Sequence, residues 1–375
     1  MEIEISSELK RCKLIDLKED DRFSILPDNV SYHIFSFFTI KDIAILSLTS
    51  KRCKDLCVSL PSLVIDMSKI KLVERFRIPF MDFIASLIAN RQSAELTSLT
   101  IRWSCKELDY DDGYRETYRI MSLLSSAIHC RINEINLSFN LYDHVEFVIP
   151  LELFYCESLT SLKVSMNNGK LELPCPYGFS YLESLQLDGV DIVHADFGGW
   201  ISSFCKFMKK LFLKSVLYED KSLPFIFNSL QTLELHHSSL TDDVNPPIAV
   251  FFQGLQLDVK TLHIKPVQEF TKETNASSAS MSGFGANFWE TQNILFVGGL
   301  EELQIDLVGG KNEEALVEFL LKNGKKLKKV VILSGGTSIP ANILTKLVSA
   351  ALVSGANLES KEGKIVLELN TQPME

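Results

Sequence analysis

Long apolar runs are missing from this 375-residue sequence. Nothing in it approaches the ~18 consecutive apolar residues of a membrane-spanning helix. Its first residues, MEIEISSELKRCKLIDLKEDD, interleave charge with apolar positions where a secretory signal carries a continuous apolar core. The expectation is a protein of the cytoplasm, the nucleus or both, with no membrane partner. Cys-x-x-Cys pairs are also missing. The eight cysteines are scattered, which fits neither a disulfide scaffold nor a zinc site, so they read as reduced and mostly buried thiols. Asn-x-Ser at Asn29, Asn136 and Asn275 then carries no glycosylation meaning. Positive charge is short as well: 38 Lys+Arg stand against 48 Asp+Glu, a net charge of −10 that repels a phosphate backbone and argues against nucleic acid as a partner.

Catalytic signatures are absent from the sequence. It contains no G-x-x-x-x-G-K-[ST], no G-x-G-x-x-G, no H-E-x-x-H and no G-x-S-x-G. No metal, cofactor or catalytic residue is therefore expected, and the protein reads as a non-enzyme. His236-His237 and His263 could converge as a metal or acid/base site, but solvated surface histidines are the commoner outcome. The run Lys325, Lys326, Lys328 and Lys329 could contact phosphate; lysines that keep a strand edge soluble explain it as well.

What the chain does contain is a repeat. The pattern L-x-x-L-x-L begins at Leu60, Leu96, Ile132, Leu159, Leu182, Met208, Leu230, Val259, Leu300 and Leu327, at spacings of 36, 36, 27, 23, 26, 22, 29, 41 and 27 residues. Several spacings fall within the ~20–29 residues of a leucine-rich repeat, and the long ones leave room for helices or insertions. The last apolar pair of each motif lies two residues apart, so both side chains point to one side of a short strand. A single such strand buries nothing, whereas parallel stacking builds a continuous core.

Helical periodicity occupies 80–91, 118–129, 313–324 and 340–355. Residues 104–117, acidic and turn-rich, and 271–287, rich in Ser, Gly and Ala, read as surface loops inserted into the array. Residues 1–22 read as a disordered tail. The architecture expected for 60–375 is an α/β solenoid, a horseshoe of about ten irregular units.

Residues 23–59 do not repeat. Pro27 suits a first helical turn, with Val30, Ile34, Phe37 and Phe38 following at helical spacing, and Thr39 with Asp42 marks a second helix start. Short apolar helices of this kind must bury surface elsewhere, either as a cap on the array or as a docking surface.

The order Leu26-Pro27, Val30, Ile34, Phe35, Phe38, Lys41-Asp42, Ser50-Lys51-Arg52 and Leu56 resembles the F-box of plant-type F-box/leucine-rich-repeat proteins. One departure is Cys53, where that family usually has Trp. The resemblance implies a three-helix F-box that binds a Skp-family adaptor, and through it a cullin, while the repeats hold a target protein for ubiquitination. It implies adaptor contacts at Leu26, Pro27, Val30, Ile34, Phe35, Phe38, Ser50 and Leu56. Residues 41–75 carry seven Lys/Arg against four Asp/Glu, a local +3 that suits the acidic adaptors of that family. The alternative is a stand-alone leucine-rich scaffold not linked to ubiquitin. In either case the strand residues that point away from the core would line the concave face. Arg102, Asn136, Lys163, Asp188, Phe212, Lys214, Glu234, His236, His263 and Lys265 are the candidates there, with Phe212 the lone aromatic.

Overall fold

The computed structural model describes residues 25–67, 74–91, 95–104, 110–140, 146–173, 177–192, 197–218, 227–237, 249, 251–266, 288–307, 311–334, 341–354, 357–361 and 364–368. The tail 1–22 and the insert 271–287 lie outside these residues. Among the described residues three helices precede the sheet: α1 (Asp28–Phe35), α2 (Ile40–Ser47) and α3 (Lys51–Val58). Their starts are chemically marked. Thr39 and Asp42 cap α2 reciprocally, the Asp42 N–H donating to Thr39 Oγ1 at 3.3 Å and the Thr39 N–H to Asp42 Oδ2 at 3.0 Å. Ser50 Oγ accepts from the Cys53 N–H at 3.0 Å, so α3 forms with Cys53 buried in it.

A sheet follows. Its strands are β1 (Ser62–Asp66), β2 (Ser98–Ser104), β3 (Glu134–Asn140), β4 (Glu146–Val148), β5 (Ser161–Glu172), β6 (Ser184–Ile192) and β7 (Lys210–Lys214). It continues through β8 (Leu217–Tyr218), β9 (Thr232–His237), β10 (Thr261–Pro266), β11 (Glu302–Leu307), β12 (Lys329–Ser334), β13 (Asn357–Lys361) and β14 (Lys364–Glu368). From β1 to β12 the main path follows chain order and is parallel; β14 and then β13 close the end antiparallel, and β4 and β8 pair beside β5 and β6. The sheet is open, its path running from β1 to β13 without returning.

The helices between strands are α4 (Glu74–Ala89), α5 (Tyr110–Ile128), α6 (Leu151–Phe154), α7 (Phe197–Phe204), α8 (Phe288–Thr291), α9 (Lys311–Asn323) and α10 (Ala341–Ser354). The molecule is a mixed α/β protein with an amino-terminal helical unit. The two last long helices stand where the periodicity expects them, whereas the first two start earlier than expected. α4 begins six residues before 80 and contains Pro79 as its sixth residue, past the first turn, where proline has no N–H to give to the helical ladder. α5 begins at Tyr110, so 110–117 are helical and the loop expected at 104–117 is corrected there; Ser104 itself ends β2.

One buried pair explains both extensions. Arg77, in the added turn of α4, holds Glu116, in the added turns of α5, with Nε–Oε1 at 2.6 Å and a second guanidinium nitrogen on Oε2 at 2.7 Å. The Trp103 Nε1–H donates to the same carboxylate at 2.6 Å, and the guanidinium lies 5.3 Å from the Trp103 ring centre. A segment that looks solvated by composition is thus helical because its acid is neutralised across the fold.

Packing follows the motif. The three apolar positions of all ten L-x-x-L-x-L units are buried. Adjacent units stand in register, so that Leu63, Leu99, Ile135, Leu162, Leu185, Leu211, Leu233, Leu262, Leu303 and Val330 form one continuous row. Each such side chain contributes ~1.5–3 kcal/mol relative to exposure. The backbone repeats too: the carbonyls of Pro61, Thr97, Asn133, Thr160, Glu183, Lys209, Gln231, Lys260 and Glu301 each accept from two successive N–H groups of the next unit, at 2.7–3.2 Å. These forks need no particular side chain, which is why the residues at those positions differ freely.

Candidate functional site

Eight-residue helices bury about one side chain per turn and leave the rest in water. In α1–α3 the buried residues are Ser31, Phe35, Ile40, Ile43, Cys53, Leu56 and Cys57, and of these Phe35, Ile40, Ile43, Leu56 and Cys57 belong to one core with the sheet. Phe35 and Leu56 are 1% and 4% exposed, so as surface contacts they are corrected: they support the helices from within. Ile34 is half-buried against the core, Leu26 is half-buried, and Pro27 is exposed at the start of α1, its carbonyl accepting from the Val30 and Ser31 N–H groups at 3.1 Å. Ser50 is exposed as the α3 cap. Arg52 ties α3 to this turn, donating to the Leu26 carbonyl and pairing with Asp28 at 3.2 Å.

What remains on the surface is apolar. Ile25, Val30, Phe37, Phe38, Ile45 and Leu48 are exposed, with Phe37 at 76% and Leu48 at 70%. Val30 and Phe38 were expected there. Ile25, Phe37, Ile45 and Leu48 were missed: Ile45 lies in α2 two residues past the buried Ile43, where the helical period carries the signal, while Ile25, Phe37 and Leu48 lie just outside the ends of α1 and α2, where it does not. Six large apolar side chains thus stand in water within 24 residues.

The second candidate surface is the sheet face turned away from the core. Strand alternation brings the expected residues together in two cross-strand rows. Asn136, Lys163, Gln186, Phe212, Glu234 and His263 form one; Arg102, Ser138, Ser165, Asp188, Lys214, His236 and Lys265 form the other. Opposite charges face each other along them. Arg102 pairs with Asp66 at 3.1 Å, Lys214 with Asp188 at 3.0 Å and Lys265 with Glu234 at 3.0 Å. Glu234 also meets His236 Nε2 at 2.7 Å and lies 3.9 Å from His263 Nδ1. Burial works against the Glu234 carboxylate, but hydrogen bonds from His236 and Lys265 outweigh it and hold its pKa below the usual carboxylate value. Burial pushes the His263 pKa down, against the nearby acids Glu234, Glu302 and Asp306. Phe212 is half-buried, its ring 4.8 Å from that of His236.

Among the described residues no group of three or more His, Cys, Asp and Glu is placed to hold a metal ion. Lys325, Lys326, Lys328 and Lys329 are exposed at the turn into β12, with Lys328 on Glu301 at 2.6 Å. Among the described residues no helix is long and apolar enough to cross a membrane.

Comparison with known proteins bears on the helical unit first. Residues 23–64 match the F-box domain family. The chain is 28% identical over 147 residues to one F-box/LRR-repeat protein of Arabidopsis thaliana, covering 38% of this chain and 36% of that protein. A second Arabidopsis F-box/LRR-repeat protein is 26% identical over 236 residues, 60% of this chain and 48% of its own length. A putative FBD-associated F-box protein of the same plant is 24% identical over 298 residues, 77% of this chain and 63% of its own. In each case the match spans less than two thirds of the relative. Helices α1–α3 lie in an F-box domain, and the chain that carries them is similar to plant F-box/leucine-rich-repeat proteins.

Proposed function

We propose that this protein is the substrate-recognition subunit of a cullin-based, SCF-type ubiquitin ligase, a non-catalytic receptor. In this reading residues 23–59 bind a Skp-family adaptor, and residues 60–375 form a leucine-rich-repeat solenoid of about ten irregular units that holds the target. The observation that carries it is the coincidence of the F-box match at 23–64 with six large apolar side chains exposed between residues 25 and 48. An interface concentrates its energy in a few such anchors, each worth ~2 kcal/mol or more on truncation. The in-register rows of the repeat strands support the solenoid, and their mixed, internally paired charge suits a target of mixed polarity.

The reading is tested by co-purification with the adaptor. Replacing Leu26, Pro27 and Phe37 together by Ala keeps every backbone acceptor of the turn while removing apolar surface. Adaptor binding should be lost and the circular dichroism spectrum unchanged. Undiminished binding in that variant overturns the reading in favour of an array whose amino-terminal helices only cap it.

A further inference from the structure

Three successive units of the repeat begin at Leu159, Leu182 and Met208. Just before those positions four aromatic rings stand in water: Tyr155 is 64% exposed, Tyr177 42%, Tyr181 46% and Phe207 56%. They are paired across neighbouring units. Tyr155 and Tyr177 have ring centres 5.7 Å apart, and Tyr181 and Phe207 lie 6.2 Å apart with their planes parallel to within 3°. The register that sets Ser184 of β6 beside Lys210 of β7 sets position 181 beside position 207 as well.

Beneath the rings the chain is fixed. Phe154, Phe179 and Trp200 are buried together, Phe154 and Phe179 with ring centres 4.3 Å apart and Trp200 edge-on to both. The Trp200 Nε1–H donates to the Tyr177 carbonyl at 2.7 Å. A Cβ at Gly178 would stand 2.1 Å from the Phe204 Cβ, so the segment 177–181 presses onto α7 only because glycine is there. Rings held in solvent on a rigid base lose little freedom on binding, which is the property of an aromatic anchor.

The surroundings choose the occupant. Glu183 is paired with Lys209 at 2.7 Å, and the exposed Glu152 and Glu157 are balanced by the exposed Lys206 and Lys210, so nothing selects an acidic or a basic segment. The rings span three units, two steps of ~4.8 Å between strands, and this ~9.6 Å matches one turn of a polyproline II helix, three residues of ~3.1 Å each. Three of the four rings carry a hydroxyl that can donate to a carbonyl, and polyproline II leaves every carbonyl without an internal partner. We propose that Tyr155, Tyr177, Tyr181 and Phe207 dock a proline-rich segment of a partner protein in the polyproline II conformation. No residue of α1–α3 takes part, so the proposal does not rest on adaptor binding.

Two fluorescein-labelled peptides test it on the full chain by fluorescence anisotropy, one of four Pro-Pro-Leu triplets and a twin of four Gly-Ser-Leu triplets. The proline peptide should bind at least tenfold more tightly than its twin. Tyr181→Ala combined with Phe207→Ala should weaken it at least tenfold with circular dichroism and adaptor co-purification unchanged, whereas Phe207→Tyr, which keeps a ring, should hold affinity within about twofold. Tyr118→Ala, at a tyrosine 71% exposed on α5, should change nothing. No binding of the proline peptide, equal binding of the twins, affinity that survives loss of both rings, or an equal loss in Tyr118→Ala overturns the proposal. Binding of cellohexaose in place of the proline peptide, abolished by the double variant, overturns it in favour of a carbohydrate. A wild-type dimer that the double variant converts to monomer in sedimentation overturns it in favour of a second copy of the chain.

Discussion

Glu116 carries a charge that is met by a residue 39 positions earlier in the chain. With Arg77 and Trp103 both directed at it, the carboxylate is a fixed acceptor rather than a solvated acid. Removing one partner of a buried ion pair leaves the other uncompensated, which costs ~3–5 kcal/mol. Glu116→Gln should therefore destabilise the protein by about 3 kcal/mol or more in urea denaturation, although Trp103 keeps an acceptor; a loss below about 1 kcal/mol would show that the pair is solvated. Thiols behave differently. Burial pushes Cys57 and Cys205 up to about 12, from an ordinary value near 9. Because the thiolate is the reactive species, iodoacetamide at pH 8 should leave both unmodified in the native protein and modify both in urea, as read by mass spectrometry.

Among the elements, α2 is the one whose start is most completely specified. Its two reciprocal hydrogen bonds satisfy donors that a helix otherwise leaves open. Thr39→Ala should cost ~1 kcal/mol of stability, measured by thermal melting. Hydrogen bonds from the Thr39 side chain and backbone hold the Asp42 pKa below its ordinary 3.8. A carboxylate with a lowered folded-state pKa contributes fully above its unfolded value and loses that contribution as pH falls through the folded one. The stability difference between wild type and Asp42→Asn should therefore be constant at neutral pH and shrink as pH drops below about 4; a difference that persists undiminished at pH 2 would remove the capping role.

For the molecule as a whole, the exposed apolar set at residues 25–48 and the self-paired solvent face of the sheet place opposite demands on solubility. Apolar surface beyond a few hundred Å² favours association unless a partner covers it. Under the proposed function, expression alone should give poorly soluble protein that co-expression with the adaptor rescues, and a stable monodisperse monomer without adaptor would count against it. The target face is tested separately. Replacing Phe212 and Lys214 by Ala should weaken target capture at least fivefold and leave adaptor binding intact. Capture that survives these and further substitutions along the two rows would move the target to the loops or to the helical side.

The period of the sequence by itself determined the core. Two apolar residues two apart, ten times over, can be buried together only if the strands stack in register, and that local rule reads directly as Leu63 beneath Leu99 and onward to Val330. Strand alternation then assigned Arg102 through Lys265 to the solvent face without knowledge of any contact. The helix start at Thr39 was legible for the same reason, since its cap is a relation between residues three apart. Tertiary structure alone decided the rest. It drew residues 110–117 into a helix by supplying Arg77 to Glu116, and it turned Phe35 and Leu56 inward while leaving Phe37 and Leu48 in water. It also packed Phe154, Phe179 and Trp200 together and left Tyr155 and Tyr177 in water. Each of these outcomes depends on what stands opposite a side chain in space, and for positions tens of residues apart no local pattern carries that information.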